Sequence, residues 1–259
     1  MKIAISGKGG VGKTTLSGLL AGVYAADGFN VIAVDANPDS NLPAALGIPP
    51  DEAKRIVPIS EMADLIEERT GAKPGSMSPM FKLNPTVDDI PERFSLSKGR
   101  IKLLVMGSVK HGGAGCICPE SALLRTLTSE LMVRRSEVVI MDMDAGVEHL
   151  GRGTARAVDA FIVVVEPGQR SLQTARTVKG LAQDIGIKRC YLAANKVRNK
   201  QQEEFIRDSM PDFTILGFIG YHPDLIEADL LGKGVYEAAP GAVADAIAIK
   251  KALEEALGR

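Results

Sequence analysis

Gly7-Lys8-Gly9-Gly10-Val11-Gly12-Lys13-Thr14-Thr15 places a glycine, four residues and then Gly-Lys-Thr in one short run. Glycines at that spacing let successive backbone N–H groups turn inward on phosphate oxygens. Lys13 then reaches the β- and γ-phosphates, and the Thr14 hydroxyl offers an oxygen to Mg²⁺. The run follows the apolar stretch Lys2–Ser6 and opens a helical pattern at Lys13, so a helix N-terminus stands behind the phosphates. Residues 7–15 are therefore expected to cradle a nucleoside triphosphate. Lys8 is a second lysine in the loop. It is either a solvated loop cation or a charge that reaches a nucleotide held by a second copy of the chain, as an arginine finger does.

Other strand ends carry acids and amides. Val34-Asp35-Ala36-Asn37-Pro38-Asp39 closes a second apolar run, where carboxylates are placed for Mg²⁺ or an attacking water. Asp35 and Asp39 are the candidates, with a helix N-cap as the alternative for Asp39. Val138-Val139-Ile140-Met141-Asp142-Met143-Asp144-Ala145-Gly146 is another apolar strand ending in acid, and such aspartates can also cap the next turn. Glu148 and His149 follow, His149 reading as a structural or contact residue before a base. Ala194-Asn195-Lys196 ends a later strand, and an asparagine amide both donates and accepts. Pro223-Asp224 lies in a loop expected to close over a base.

Gly112-Gly113-Ala114-Gly115-Cys116-Ile117-Cys118-Pro119 sets two thiols one residue apart behind glycines. Adjacent thiolates share a soft metal, and tetrahedral thiolate coordination takes four. A twofold dimer supplies the second pair if the motif lies on its axis. An incidental pair and a redox pair are the alternatives, the latter requiring a strained ring. Cys190 sits in an apolar strand and reads as a buried small hydrophobe.

The elements that position these residues alternate. Candidate strands are Lys2–Ser6, Asn30–Ala36, Arg100–Gly107, Glu137–Asp144, Ala160–Pro167, Arg189–Val197 and Phe213–Tyr221. Several are apolar on both faces, as buried parallel strands are. Helical patterns at Lys13–Asp27, Ser121–Arg135 and Ser171–Ile185 lie between them. This predicts an α/β fold, a doubly wound and mostly parallel sheet of seven to eight strands of the P-loop NTPase kind. Residues 1–259 read as a single domain, with an irregular insertion at about 44–99 that holds a helical stretch at Ile59–Arg69.

Composition narrows the classes. The 259 residues carry 31 basic and 32 acidic side chains, and that balance argues against nucleic-acid binding. No apolar run approaches membrane-spanning length, and the N-terminus leads straight into the first strand, so a cytoplasmic location is expected. Three cysteines form no disulfide framework.

The Lys8–Thr15 run resembles the deviant Walker A loop of the ATPases related to nitrogenase iron protein, the arsenite-pump ATPase and the division-site ATPases. The resemblance implies a homodimer that closes face to face around two ATP molecules. It implies that Asp142 holds Mg²⁺ through water, that Gly146 senses the γ-phosphate and that Asn195 reads adenine. Where Asn37 stands, the family usually has the aspartate that activates water, so slowed hydrolysis is expected here. Together with Cys-x-Cys and the run Asp142–Gly153, the chain resembles the CooC-type nickel-insertion ATPases over nearly its whole length. That implies Ni²⁺ (or Zn²⁺) at an intersubunit four-cysteine site. It also implies a client such as carbon monoxide dehydrogenase or acetyl-CoA synthase. A division or partition ATPase is one rival reading, with Val243–Arg259 as an amphipathic anchor. That stretch lacks Phe and Trp and reads better as a packing helix. An iron–sulfur electron donor is the other rival, and it would use well-separated cysteines.

Overall fold

The computed structural model describes residues 1–75, 80–107, 118–147 and 150–259, and Arg152 by its backbone alone. In chain order the first half runs β1 (Lys2–Gly7), α1 (Lys13–Ala26), β2 (Val31–Ala36), α2 (Leu42–Ala45), α3 (Pro50–Ala53), a 3₁₀ turn at Ile59–Glu61, α4 (Ala63–Thr70), α5 (Ile90–Phe94), β3 (Leu96–Lys98) and β4 (Ile101–Val105). The second half runs α6 (Pro119–Val133), β5 (Val138–Met143), α7 (Arg152–Ala155), β6 (Ala160–Val165), α8 (Gln169–Asp184), β7 (Cys190–Val197), α9 (Lys200–Ser209), β8 (Thr214–Gly220), α10 (Pro223–Leu230), α11 (Val235–Ala238) and α12 (Pro240–Leu257).

The strands form one sheet in the order β3-β4-β2-β5-β1-β6-β7-β8, parallel throughout except for the β3–β4 pair. Every residue of β1, β2, β5 and β6 is buried, because helices cover both faces. One face packs α1 and α12 through Leu16, Leu20, Ala246 and Ile249; the other packs α6 and α8 through Leu123, Leu127, Leu172 and Val178. The strand order reverses around β1, so the chain leaves β2, β5, β1 and β6 at one rim. In open α/β sheets ligands bind in the crevice at that rim.

All seven expected strands are present, and the eighth is the three-residue β3. Leu-Ser-Lys is too short to show a period, and it forms only because Gly99 (φ +58°) turns the chain back so that Leu96 pairs with Leu103. The described residues of the 44–99 stretch contribute to the core. Ile59, Leu65, Ile66, Val87 and Ile90 join the core on the α6 face, and Asp89 accepts from Arg69 at 2.7 Å and Arg93 at 2.8 Å to tie α4 to α5. The C-terminal pattern expected at Val243–Arg259 is α12, which buries Ala242, Ala246, Ile249 and Leu253. No described helix is long and apolar enough to cross a membrane.

Candidate nucleotide site

The loop between β1 and α1 borders a cleft of about 780 Å³. Gly9, Gly10, Gly12, Lys13, Thr14 and Thr15 line it, while Gly7 and Val11 lie buried beneath and Lys8 is half-exposed beside it. Two positions need glycine for steric reasons. A Cβ on Gly7 (φ +149°) would collide with the Val164 carbonyl, and one on Gly12 (φ +95°) with the Asn195 amide.

That second contact shows how Asn195 is held. Asn195 is 3% exposed; its Nδ2 donates to the Val11 carbonyl at 2.9 Å and its Oδ1 accepts from the Lys196 amide at 2.8 Å. Lys196 adopts φ +60°, and its Nζ donates to the Gly10 carbonyl at 2.6 Å while pairing with Glu166 at 3.3 Å. Both residues border the cleft, and their polar atoms brace the phosphate loop.

At the other end of the loop, Lys13 is buried and its Nζ donates to the Lys8 carbonyl at 3.4 Å. Thr14 Oγ1 donates to Asp142 Oδ2 at 2.7 Å. Asp142 Oδ1 is buried with no hydrogen-bond partner among the described residues. Burial pushes the Asp142 carboxyl up to about 7; the nearby Asp35 charge adds to the rise, while the Thr14 bond and Lys13 oppose it. A hydroxyl beside an orphaned carboxylate oxygen fits the oxygen-donor shell of a hydrated Mg²⁺.

Asp35 is the register partner of Asp142 across the β2–β5 ladder. It is fully buried, its Oδ2 accepting from Ser40 Oγ at 2.7 Å and the Leu42 amide at 3.0 Å, and its Oδ1 from the Asn37 amide at 3.1 Å. Burial still holds its carboxyl above the usual range against those three bonds. Those bonds fold the 37–42 loop around Asp35 and satisfy the first amide of α2. Asp39 is exposed on the cleft wall and caps nothing, since Asn41 occupies the α2 N-cap position. Asn37 also lines the cleft, fixed by a 3.2 Å bond from its Nδ2 to the Asp142 carbonyl. Gly146 is buried off the wall, its amide donating to Asp144 O at 2.8 Å and Ser6 Oγ at 3.1 Å.

Pro223 and Asp224 form the first turn of α10 and do not line the cleft; their neighbours Tyr221, His222, Leu225 and Ile226 do. The Tyr221 ring sits 4.3 Å from the Arg198 guanidinium carbon, and the His222 imidazole meets Asp245 at 2.8 Å. The strand-end rule that pointed to Asp35 and Asp142 also points to Tyr221, which directly follows β8.

Cys116, Glu148 and His149 lie outside the described residues. Cys118 is the N-cap residue of α6, half-buried, its thiol donating to Ser121 Oγ at 3.1 Å. Burial pushes that thiol up. Cys190 opens β7 against the core, and burial raises its thiol to about 11. Among the described residues no group of three or more His, Cys, Asp or Glu side chains is gathered for a metal ion.

The CobQ/CobB/MinD/ParA nucleotide binding domain family matches residues 2–235. The carbon monoxide dehydrogenase accessory protein CooC of Rhodospirillum rubrum is 47% identical over 258 residues, covering 100% of this chain and 98% of the relative. An uncharacterised ATP-binding protein of Methanocaldococcus jannaschii is 46% identical over 238 residues, 91% of each chain. In fold the chain resembles the MinD cell division protein of Aquifex aeolicus, with a TM-score of 0.68 at 20% identity over 100% of this chain and 98% of that one. The chain therefore belongs to the CobQ/CobB/MinD/ParA nucleotide-binding family of P-loop ATPases, and within it to the CooC type.

Proposed function

We propose that this chain is an ATP-dependent nickel metallochaperone that dimerises on ATP and assists nickel insertion into the active-site cluster of carbon monoxide dehydrogenase or acetyl-CoA synthase. The observation that carries the ATPase half is the Thr14–Asp142 pair with its unpartnered Oδ1 at the foot of the phosphate loop. The nickel half is supported by Cys116-x-Cys118 and by full-length likeness to a carbon monoxide dehydrogenase accessory protein.

In this reading residues 1–259 act as one ATPase domain, with 44–99 as an insertion. The loop amides and Lys13 hold the phosphates, and Thr14 and Asp142 hold Mg²⁺. When bound, that ion neutralises charge on the β- and γ-phosphates. Asn37 orients a water from the cleft wall but takes no proton, and this slows turnover. Lys8, half-exposed beside the cleft, reaches a nucleotide across the dimer. Each chain brings two sulfurs, so a second copy completes a four-thiolate site for Ni²⁺ or Zn²⁺. Free thiols suit the reducing cytoplasm. The even charge balance supports a protein client over a nucleic acid.

An anaerobic nickel titration with and without ATP tests this. ATP-dependent, substoichiometric nickel binding is expected. Absence of nickel binding under both conditions would favour a MinD-like nucleotide-switched interaction protein.

A further inference from the structure

Ser6 is fully buried at the end of β1, and none of the nucleotide chemistry above uses it. Its place follows from the sheet. On one side the β1–β5 ladder stops at the pair Ile5–Asp142; on the other, β1 stays paired with β6 through Ser6–Val163 and Gly7–Val164. Past Met143 the chain leaves the sheet, and the Ser6 hydroxyl continues where the ladder ends. Its Oγ lies 2.9 Å from the Asp144 carbonyl and 3.0 Å from the Gly146 carbonyl, and it accepts the Gly146 amide at 3.1 Å. One hydroxyl proton is shared between two carbonyls while a lone pair takes the amide. The Gly146 N–H is shared between the Asp144 carbonyl at 2.8 Å and Ser6, and Ser6 is the acceptor that ties it to β1, behind a cleft wall that includes Asp144 but not Gly146.

We propose that Ser6 is a latch, a positioning residue that holds the Asp144–Gly146 turn against β1 and competes with the γ-phosphate for the Gly146 amide. This rests on Gly146 being the γ-phosphate sensor. ATP must break the Ser6 bond to engage that amide; ADP makes no such demand. A ligand shifts a two-state element only by its differential affinity for the two states. The latch therefore weakens ATP binding and leaves ADP binding alone, and Ser6 sets how sharply the protein discriminates between them.

The test is calorimetric titration of the nickel-free chain and its Ser6→Ala variant with Mg-ADP and with a non-hydrolysable Mg-ATP analogue. Losing one net hydrogen bond should tighten analogue binding about three- to tenfold, with ADP affinity held within about twofold. Ser6→Cys keeps the volume with a weaker donor and should fall between. Equal changes for both nucleotides, or no change in a variant with native circular dichroism, overturn the latch. Should neither variant fold, amide exchange in the unsubstituted, nucleotide-free chain decides. The latch requires a protected Gly146 amide, and fast exchange there contradicts it. Failure of the phosphate-loop reading looks different, because the unsubstituted chain would then bind neither nucleotide.

Discussion

Asn37 stands where the resemblance to the deviant Walker A ATPases implies a water-activating aspartate. Its side chain lines the cleft and is fixed by the Asp142 carbonyl, and an amide there cannot act as a base. Restoring a carboxylate is therefore expected to raise turnover. Asn37→Asp should hydrolyse ATP about 10²-fold faster, the lower range for a positioned general base, with ATP affinity unchanged within a few-fold. Steady-state phosphate release checks this. Equal rates would assign the water to Asp39, the exposed carboxylate on the same wall. At this scale the sequence was a good guide to residue type and a poorer guide to direction. The loop spacing singles out Lys13 and Thr14, yet it does not tell that Asp35 and Asn195 aim polar atoms at neighbouring backbone. The partners of Asp35 lie within seven residues of it, whereas Asn195 reaches Val11 from far along the chain; no local pattern encodes that second contact.

Among the elements, the 37–42 loop depends on a single buried carboxylate. Asp35 accepts from the amides of Asn37 and Leu42 and from the Ser40 hydroxyl. Asp35→Ala leaves those donors without their acceptor. We expect a stability loss of about 1–3 kcal/mol, read by urea or thermal unfolding, since unsatisfied buried donors bear their full desolvation cost. ATP binding should weaken with it, because Asn37 and Asp39 ride on that loop. A variant as stable as the parent would show that the loop is held elsewhere. The strands themselves were legible because buried parallel strands are apolar on both faces; Phe161-Ile162-Val163-Val164-Val165 reads as β6 directly. The short β3 was not legible, and neither was the share of residues 44–99 in the core. Ile59 follows Ile56-Val57-Pro58 and Ile90 lies between Asp89 and Pro91, so neither belongs to a regular apolar period, and tertiary packing decides their burial.

For the whole molecule, the account requires two copies. Lys8 is half-exposed beside the cleft and makes its proposed contact only across a dimer. Lys8→Ala should bind ATP with little change yet sediment as a monomer, and an ATP-bound dimer of this variant would remove the trans role. The same symmetry governs the metal. Two Cys116-x-Cys118 pairs meeting on a twofold axis give four thiolates, so one divalent ion per dimer is expected, with Zn²⁺–sulfur distances of about 2.3 Å. The axis was inferred from thiol arithmetic alone. Cys116 lies outside the described residues, and Cys118 places only one of the two sulfurs, at the head of α6. Native mass spectrometry of the ATP-bound, metal-loaded protein tests this most directly. One ion per dimer is predicted, lost in both Cys116→Ala and Cys118→Ala and kept in Cys190→Ala. Two ions per dimer, or full metal retention in Cys116→Ala, would contradict a shared intersubunit site.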